Sequence, residues 1–203
     1  MHRTVNEDLL LEFTGTPVWR LYEPTEVFVV LGASGKPEED LILSHLQADA
    51  VPYRFRKGGG GTVVLSPGQA VLALVTEVSS PYRNKEYARE INRWFVDALG
   101  SLGVTGVEDR GISDLAVGER KILGTSIYRR RLVLFYQASL LVANDLSLFD
   151  RYLTMPRRVP DYRAGRGHRD FCATLVELGH ELTARAAIQA LQPIVEQRIG
   201  GLA

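Results

Sequence analysis

Four consecutive glycines, Gly58 to Gly61, follow Arg54, Arg56 and Lys57 and precede a β-type run. The stretch reads Arg56-Lys57-Gly58-Gly59-Gly60-Gly61-Thr62-Val63-Val64-Leu65. Glycine inside a regular element costs about 0.5–1 kcal/mol relative to alanine, because it loses the most backbone freedom on folding. Four glycines at the mouth of a strand therefore leave two options. Either the segment is a loose surface loop, or its backbone must come close to something. Bare N–H groups with basic residues beside them suit an anion such as a phosphate or carboxylate.

The surrounding pattern predicts the elements that carry this loop. Val27 to Leu31 is an apolar, β-branched run and reads as a buried strand. Pro37-Glu38-Glu39-Asp40 predicts a helix start, with Leu41, Leu43, Leu46 and Ala50 as its buried face. Tyr53 to Phe55, Thr62 to Leu65 and Ala70 to Val78 read as strands, with a turn at Ser66 to Gln69. Tyr87, Ile91, Trp94, Phe95, Ala98 and Leu102 recur at helical spacing and predict a helix from Asn84 to Leu99, ended by Gly100. Val104 to Val107, Asp114 to Val117, Arg120 to Ile127 and Leu132 to Val142 follow as strands, with Gly118-Glu119 as a tight hairpin turn. A short helix starts at Asp145, and a last helix spans Thr183 to Arg198 with a kink at Pro193. Strands grouped in sequence and joined by short turns favour an α+β fold with a mixed, largely antiparallel sheet packed with helices. The 203 residues fit one domain.

Charge and composition narrow the class. Lys plus Arg and Asp plus Glu are 24 each, so no global field favours nucleic acid or an anionic membrane surface. Cys172 is the only cysteine, which precludes an intrachain disulfide and fits a reducing, cytoplasmic setting. No apolar run is long enough to cross a membrane. His2, His45, His168 and His180 have no paired spacing, so no histidine-built metal site is expected. Gly32-Ala33-Ser34-Gly35-Lys36 lacks Walker A spacing, and the glycine run does not satisfy the dinucleotide fingerprint.

A second distinctive segment is Arg120-Lys121-Ile122-Leu123-Gly124-Thr125-Ser126, preceded by a hairpin that holds Asp114. Read alone, Lys121 is an exposed lysine at a strand end, as most lysines are. Read with the glycine segment, in this order and at this separation, it resembles the lipoate–protein ligase A family of the biotin/lipoate ligase and octanoyltransferase superfamily. Leu140-Leu141-Val142-Ala143-Asn144-Asp145-Leu146 and Arg169-Asp170-Phe171-Cys172-Ala173-Thr174-Leu175 echo two further family segments, so the resemblance covers roughly Val18 to Leu175. The chain departs from the pattern at Gly32 to Lys36, at Leu65 and at Ser113.

The resemblance implies the fold of a biotin/lipoate ligase catalytic domain over residues 1–203, with no C-terminal accessory domain. It implies ATP-dependent activation of lipoate, or octanoate, to an acyl-AMP. The acyl group would then pass to a lysine of a lipoyl-domain protein, of the 2-oxoacid dehydrogenase acyltransferase or glycine-cleavage H protein type. An accessory function would be dispensable, supplied by a separate subunit, or never used. Lys121 resembles the catalytic lysine that meets the acyl carboxylate and the α-phosphate. Arg56 resembles the arginine that holds the nucleotide phosphate. Gly59, Gly60, Gly61, Thr62, Val63, Val64, Asp114, Gly124 and Thr125 fall on nucleotide- or acyl-adenylate-binding positions. Mg2+ would enter with ATP. Two alternatives stay open: an ATP-independent octanoyl or lipoyl transferase using Cys172, near His168, as a thioester nucleophile, and a catalytically silent acyl-adenylate-binding protein. The basic clusters Arg129 to Arg131, Arg157-Arg158 and Arg163, Arg166, Arg169 read as solvated surface or as a docking face for an acidic acceptor.

Overall fold

The computed structural model describes residues 4–156 and 159–202. Arg157 and Arg158 lie outside the described residues. In chain order the elements are α1 (Asp8–Glu12), β1 (Val18–Tyr22), β2 (Phe28–Leu31), α2 (Pro37–Asp40), α3 (Leu43–Ala48), β3 (Tyr53–Phe55), β4 (Val63–Leu65), β5 (Gln69–Glu77), α4 (Asn84–Ser101), β6 (Val107–Arg110), β7 (Asp114–Val117), β8 (Arg120–Arg130), β9 (Val133–Leu141), α5 (Ser147–Tyr152), α6 (His168–Phe171) and α7 (Ala184–Arg198). They form the expected α+β fold, but the strands divide between two sheets. A six-stranded antiparallel sheet runs β1-β5-β9-β8-β7-β6, and a three-stranded mixed sheet runs β3-β2-β4.

The β5 sequence is apolar at nearly every position because both faces of its sheet are covered. Successive side chains of a strand point to opposite faces. Leu72 and Leu74 join Ile91, Trp94 and Phe95 of α4 and Leu191 and Val195 of α7 in the main core. Ala73 and Val75 pack on the other face with Leu9 of α1 and Phe135. Val71 meets Phe28, Val30 and Leu65 of the small sheet. A further core joins Val29, Leu31 and Val64 to Leu41, Leu46, Phe149, Tyr152, Phe171 and Cys172.

Several expectations are corrected. The helix predicted from Pro37 is two short helices, because Leu41 is extended and bridges Leu153. Helix α4 runs through Gly100 to Ser101, and the first left-handed glycine is Gly103, at φ 80°. The strand expected at Val104 to Val107 begins at Val107 instead. The structure adds β1, an edge strand half-buried along its length, and the short helices α1 and α6. Among the described residues, no helix is long and apolar enough to cross a membrane.

Candidate active site

The glycine segment links β3 to β4 and folds back over Arg56. The Arg56 side chain does not reach into solvent; the residue is 6% exposed. Its Nη2 donates to the carbonyls of Gly59 (2.8 Å) and Gly61 (2.7 Å), and its Nε donates to Ser126 Oγ (2.9 Å). Nη1 donates to the Val30 carbonyl at 3.3 Å. Ser126 Oγ in turn donates to the Gly59 carbonyl at 2.9 Å. Burial pushes the guanidinium pKa down to about 10. Among the described residues no carboxylate pairs with Arg56.

The glycines serve different ends. A Cβ on Gly58 would lie 2.1 Å from Ser126 Oγ, so side-chain-free backbone is needed for the loop to reach β8. Gly60 sits at φ 94°, a region L side chains rarely adopt. Gly59 and Gly61, by contrast, face open space, so the close approach to another part of the protein is made by Gly58. Gly32 also belongs to this packing, since a Cβ there would meet the Gly60 carbonyl at 2.4 Å. Thr62 is half-buried at the end of the loop. Val63 and Val64 pair with Val30 and Val29 of β2, and the Val64 side chain is in the core.

Lys121 lies near the start of β8. Its Nζ is 2.7 Å from Asp114 Oδ1, with both side chains partly exposed. The other oxygen, Asp114 Oδ2, accepts from Tyr162 Oη at 2.9 Å. Burial, and next the charge of Asp114, raise the Tyr162 pKa, so this phenol stays a donor. Gly124 leaves the space that the lysine crosses: a Cβ there would be 3.0 Å from Lys121 Nζ. Thr125 Oγ1 donates to Ser113 O at 3.1 Å, and Asn92 of α4 donates to the same carbonyl at 3.2 Å. Asn92 is held by the buried Tyr136 hydroxyl at 2.8 Å. The start of β7, and with it Asp114, is therefore pinned from two sides.

The two segments meet on one stretch of β8. Lys121 lies over Gly124, and the glycine loop packs on Ser126 and Ile127. The structure thus brings Lys121, Asp114, Gly124, Thr125 and the loop onto one short stretch of sheet. Tyr162 and Asn92 are site-building residues without a sequence signal of their own, while Ser126 lies in the Lys121 segment and Arg166 in a basic cluster noted above. Arg166 holds the Tyr162 carbonyl at 2.6 Å and exchanges hydrogen bonds with Arg163, which is itself buried. These two arginines are internal braces, and Arg129 likewise donates to Asn84 and Ser80. The solvated-surface reading fails for the buried Arg163, whereas Arg129 and Arg166 are half-exposed and Arg130, Arg131 and Arg169 are exposed.

Cys172 and Lys121 are bridge partners, and the Ala173 N–H donates to the Lys121 carbonyl at 2.9 Å. The thiol is buried, and burial raises its pKa. His168 Nδ1 faces Asp150 at 3.1 Å, and no hydrogen bond joins it to the Cys172 thiol. No group of three or more His, Cys, Asp or Glu side chains that could hold a metal occurs among the described residues.

The model of the lipoyl protein ligase A/B catalytic domain family matches residues 4–195. The chain belongs to this family. An octanoyltransferase of Prochlorococcus marinus (strain MIT 9211) is 27% identical over 150 residues, which are 72% of this chain and 62% of that protein. The chain spans about three fifths of the length of the curated relatives it matches. A bipartite lipoate protein ligase solved with its E2 lipoyl domain, from Thermoplasma acidophilum, shares the fold: TM-score 0.82, 21% identity, covering 96% of this chain and 76% of that chain. A lipoate-protein ligase A solved with ATP gives TM-score 0.79 at 21% identity, covering 96% and 78%.

Proposed function

We propose that this chain is the catalytic part of an ATP-dependent lipoate–protein ligase. It would join lipoate, or octanoate, to AMP and pass the acyl group to a lysine of a lipoyl domain. The observation that carries this reading is the meeting of Lys121–Asp114 with the glycine loop on one stretch of β8. The family membership supports it, as do the ATP bound to one structural relative and the E2 lipoyl domain solved with another.

In the first step a carboxylate oxygen attacks the α-phosphorus of ATP, and pyrophosphate leaves with the electron pair of the broken P–O bond. Two anions must approach each other, and fixed donors lower that cost because they need no reorganisation. The exposed loop amides suit the phosphate. Lys121 Nζ suits the carboxylate oxygen and, later, the acyl carbonyl. In the second step the neutral amine of the acceptor attacks the acyl carbon, AMP leaves, and the amine proton passes to solvent. Lys121 then stabilises the developing oxyanion. Asp114 keeps the ammonium in place between these roles.

The residues fit a nucleotide phosphate better than a resident metal. Both Asp114 oxygens already have partners, and among the described residues no group of three or more His, Cys, Asp or Glu side chains is present to make a protein cage. Mg2+ would therefore enter on the triphosphate, with Asp114 as the carboxylate at hand, and would offset phosphate charge. A separate subunit could assist this step.

The similarity to an octanoyltransferase raises a second reading, a thioester on Cys172. Against it stand the buried thiol, its raised pKa and the engagement of His168 with Asp150, because the thiolate is the nucleophile. Isotope exchange between pyrophosphate and ATP separates the two readings. The ligase requires exchange that depends on added lipoate and persists in Cys172→Ser. Acyl transfer to a lipoyl domain without ATP, abolished by Cys172→Ser, would establish the transferase instead.

A further inference from the structure

We propose that Arg56 and Ser126 are positioning residues that shape the glycine loop from beneath, so that the N–H groups of Gly60 and Thr62 bind the anion and the Arg56 side chain does not touch it. This rests on the acyl-adenylate reading for the identity of the anion, but not for the existence of the cradle.

Three observations lead here. First, the Arg56 donors are directed at the protein: the carbonyls of Gly59, Gly61 and Val30 and the hydroxyl of Ser126. Second, the carbonyls of Gly59 and Gly61 both point inward at the guanidinium. No cis peptide occurs among the described residues. In a trans peptide the C=O and the following N–H point in opposite directions. The N–H groups of Gly60 and Thr62 therefore point away from Arg56. Neither donates to a protein acceptor among the described residues. Third, Arg56 is a buried cation without a carboxylate partner among the described residues. A buried charge is ordinarily paired, because desolvation is costly. Carbonyl oxygens offset part of that cost, and an anion on the outer side of the loop would supply the missing counter-charge across one layer of backbone.

Ser126 completes the device. Its hydroxyl accepts from Arg56 and donates to the Gly59 carbonyl, and its oxygen occupies the place a Gly58 side chain would need. The glycine run is thus shaped by a cation on one side and is open to an anion on the other. A lysine at position 56 would keep the charge but lose the planar fork that holds two carbonyls at once.

The test uses the whole chain with uniform 15N labelling and inorganic pyrophosphate as probe. In the wild type, the Gly60 and Thr62 amide resonances should shift most on titration, with chloride at matched ionic strength as control. Ser126→Ala keeps Arg56 and should weaken pyrophosphate binding by roughly tenfold, the loss of one hydrogen bond beside a charged group. Arg56→Lys should weaken it at least as much. In turnover assays both variants should raise KM for ATP far more than they lower kcat, a split that general loosening of the fold would not give. Unshifted Gly60 and Thr62 amides would overturn the proposal. So would Ser126→Ala binding pyrophosphate like the wild type while Arg56→Lys retains affinity, since a flexible lysine reaching a phosphate marks direct contact. Intact pyrophosphate binding together with absent lipoate-dependent exchange would leave the cradle standing and remove the ligase reading.

Discussion

The two cationic residues of the site are built in opposite ways. Arg56 is buried, has no carboxylate partner among the described residues and donates to loop carbonyls. Lys121 is partly exposed and already paired, 2.7 Å from Asp114. On the reading proposed above, the first acts on a ligand through the backbone it shapes, and the second acts directly, by sharing or leaving its carboxylate. That reading gives binding and chemistry to different groups. A rigid cradle suits a phosphate that must stay in place, and a switchable ammonium suits an acyl group whose charge changes during the reaction.

Disturbing the switchable half should have the larger consequence. Asp114→Asn removes the charge that parks Lys121 and leaves Tyr162 an acceptor. It should lower the rate of lipoate-dependent pyrophosphate exchange by roughly ten- to hundredfold, in line with about 1.5–3 kcal/mol for a hydrogen bond to a charged group. KM for ATP should change less than kcat, because the loop is untouched and Asp114 meets ATP only through its Mg2+. A large KM effect with kcat intact would erase the division between the two halves. Tyr162→Phe removes one neutral donor from Asp114 and should cost only a few-fold in kcat, about 0.5–1.5 kcal/mol. Wild-type kcat in that variant would mean that the Tyr162 hydrogen bond does not set the position of Asp114.

The same contrast shows what could be read before the fold was known. Strand β5, helix α4 and the β7–β8 hairpin follow from local patterns: continuous apolar residues, three- and four-residue spacing, and Gly118 at φ 57°. Lys121, Asp114 and Gly124 fall within one short hairpin, so their proximity is local as well. The interruption at Leu41 is not local; a bridge to Leu153, far along the chain, draws that residue into an extended conformation. Strand β6 begins late because Gly103 and Gly106, at φ 80° and 71°, take left-handed backbone that interrupts extension before Val107. The position of Arg56 was also hidden. A basic residue next to glycines suggests contact with a ligand, and only tertiary structure reveals that the carbonyls turn toward it. Tyr162 comes from a segment without periodicity, brought in by the reciprocal hydrogen bonds of Arg163 and Arg166.

The most direct measurement is the mass of an isolated lipoyl domain after incubation with the protein, lipoate and ATP, for the wild type and for Lys121→Ala. One acyl group should be added by the wild type only when ATP is present. The rate with Lys121→Ala should fall by about 10²–10³-fold, the cost of removing a donor at a developing oxyanion. Full modification by Lys121→Ala, or by the wild type without ATP, would contradict the role assigned to this site.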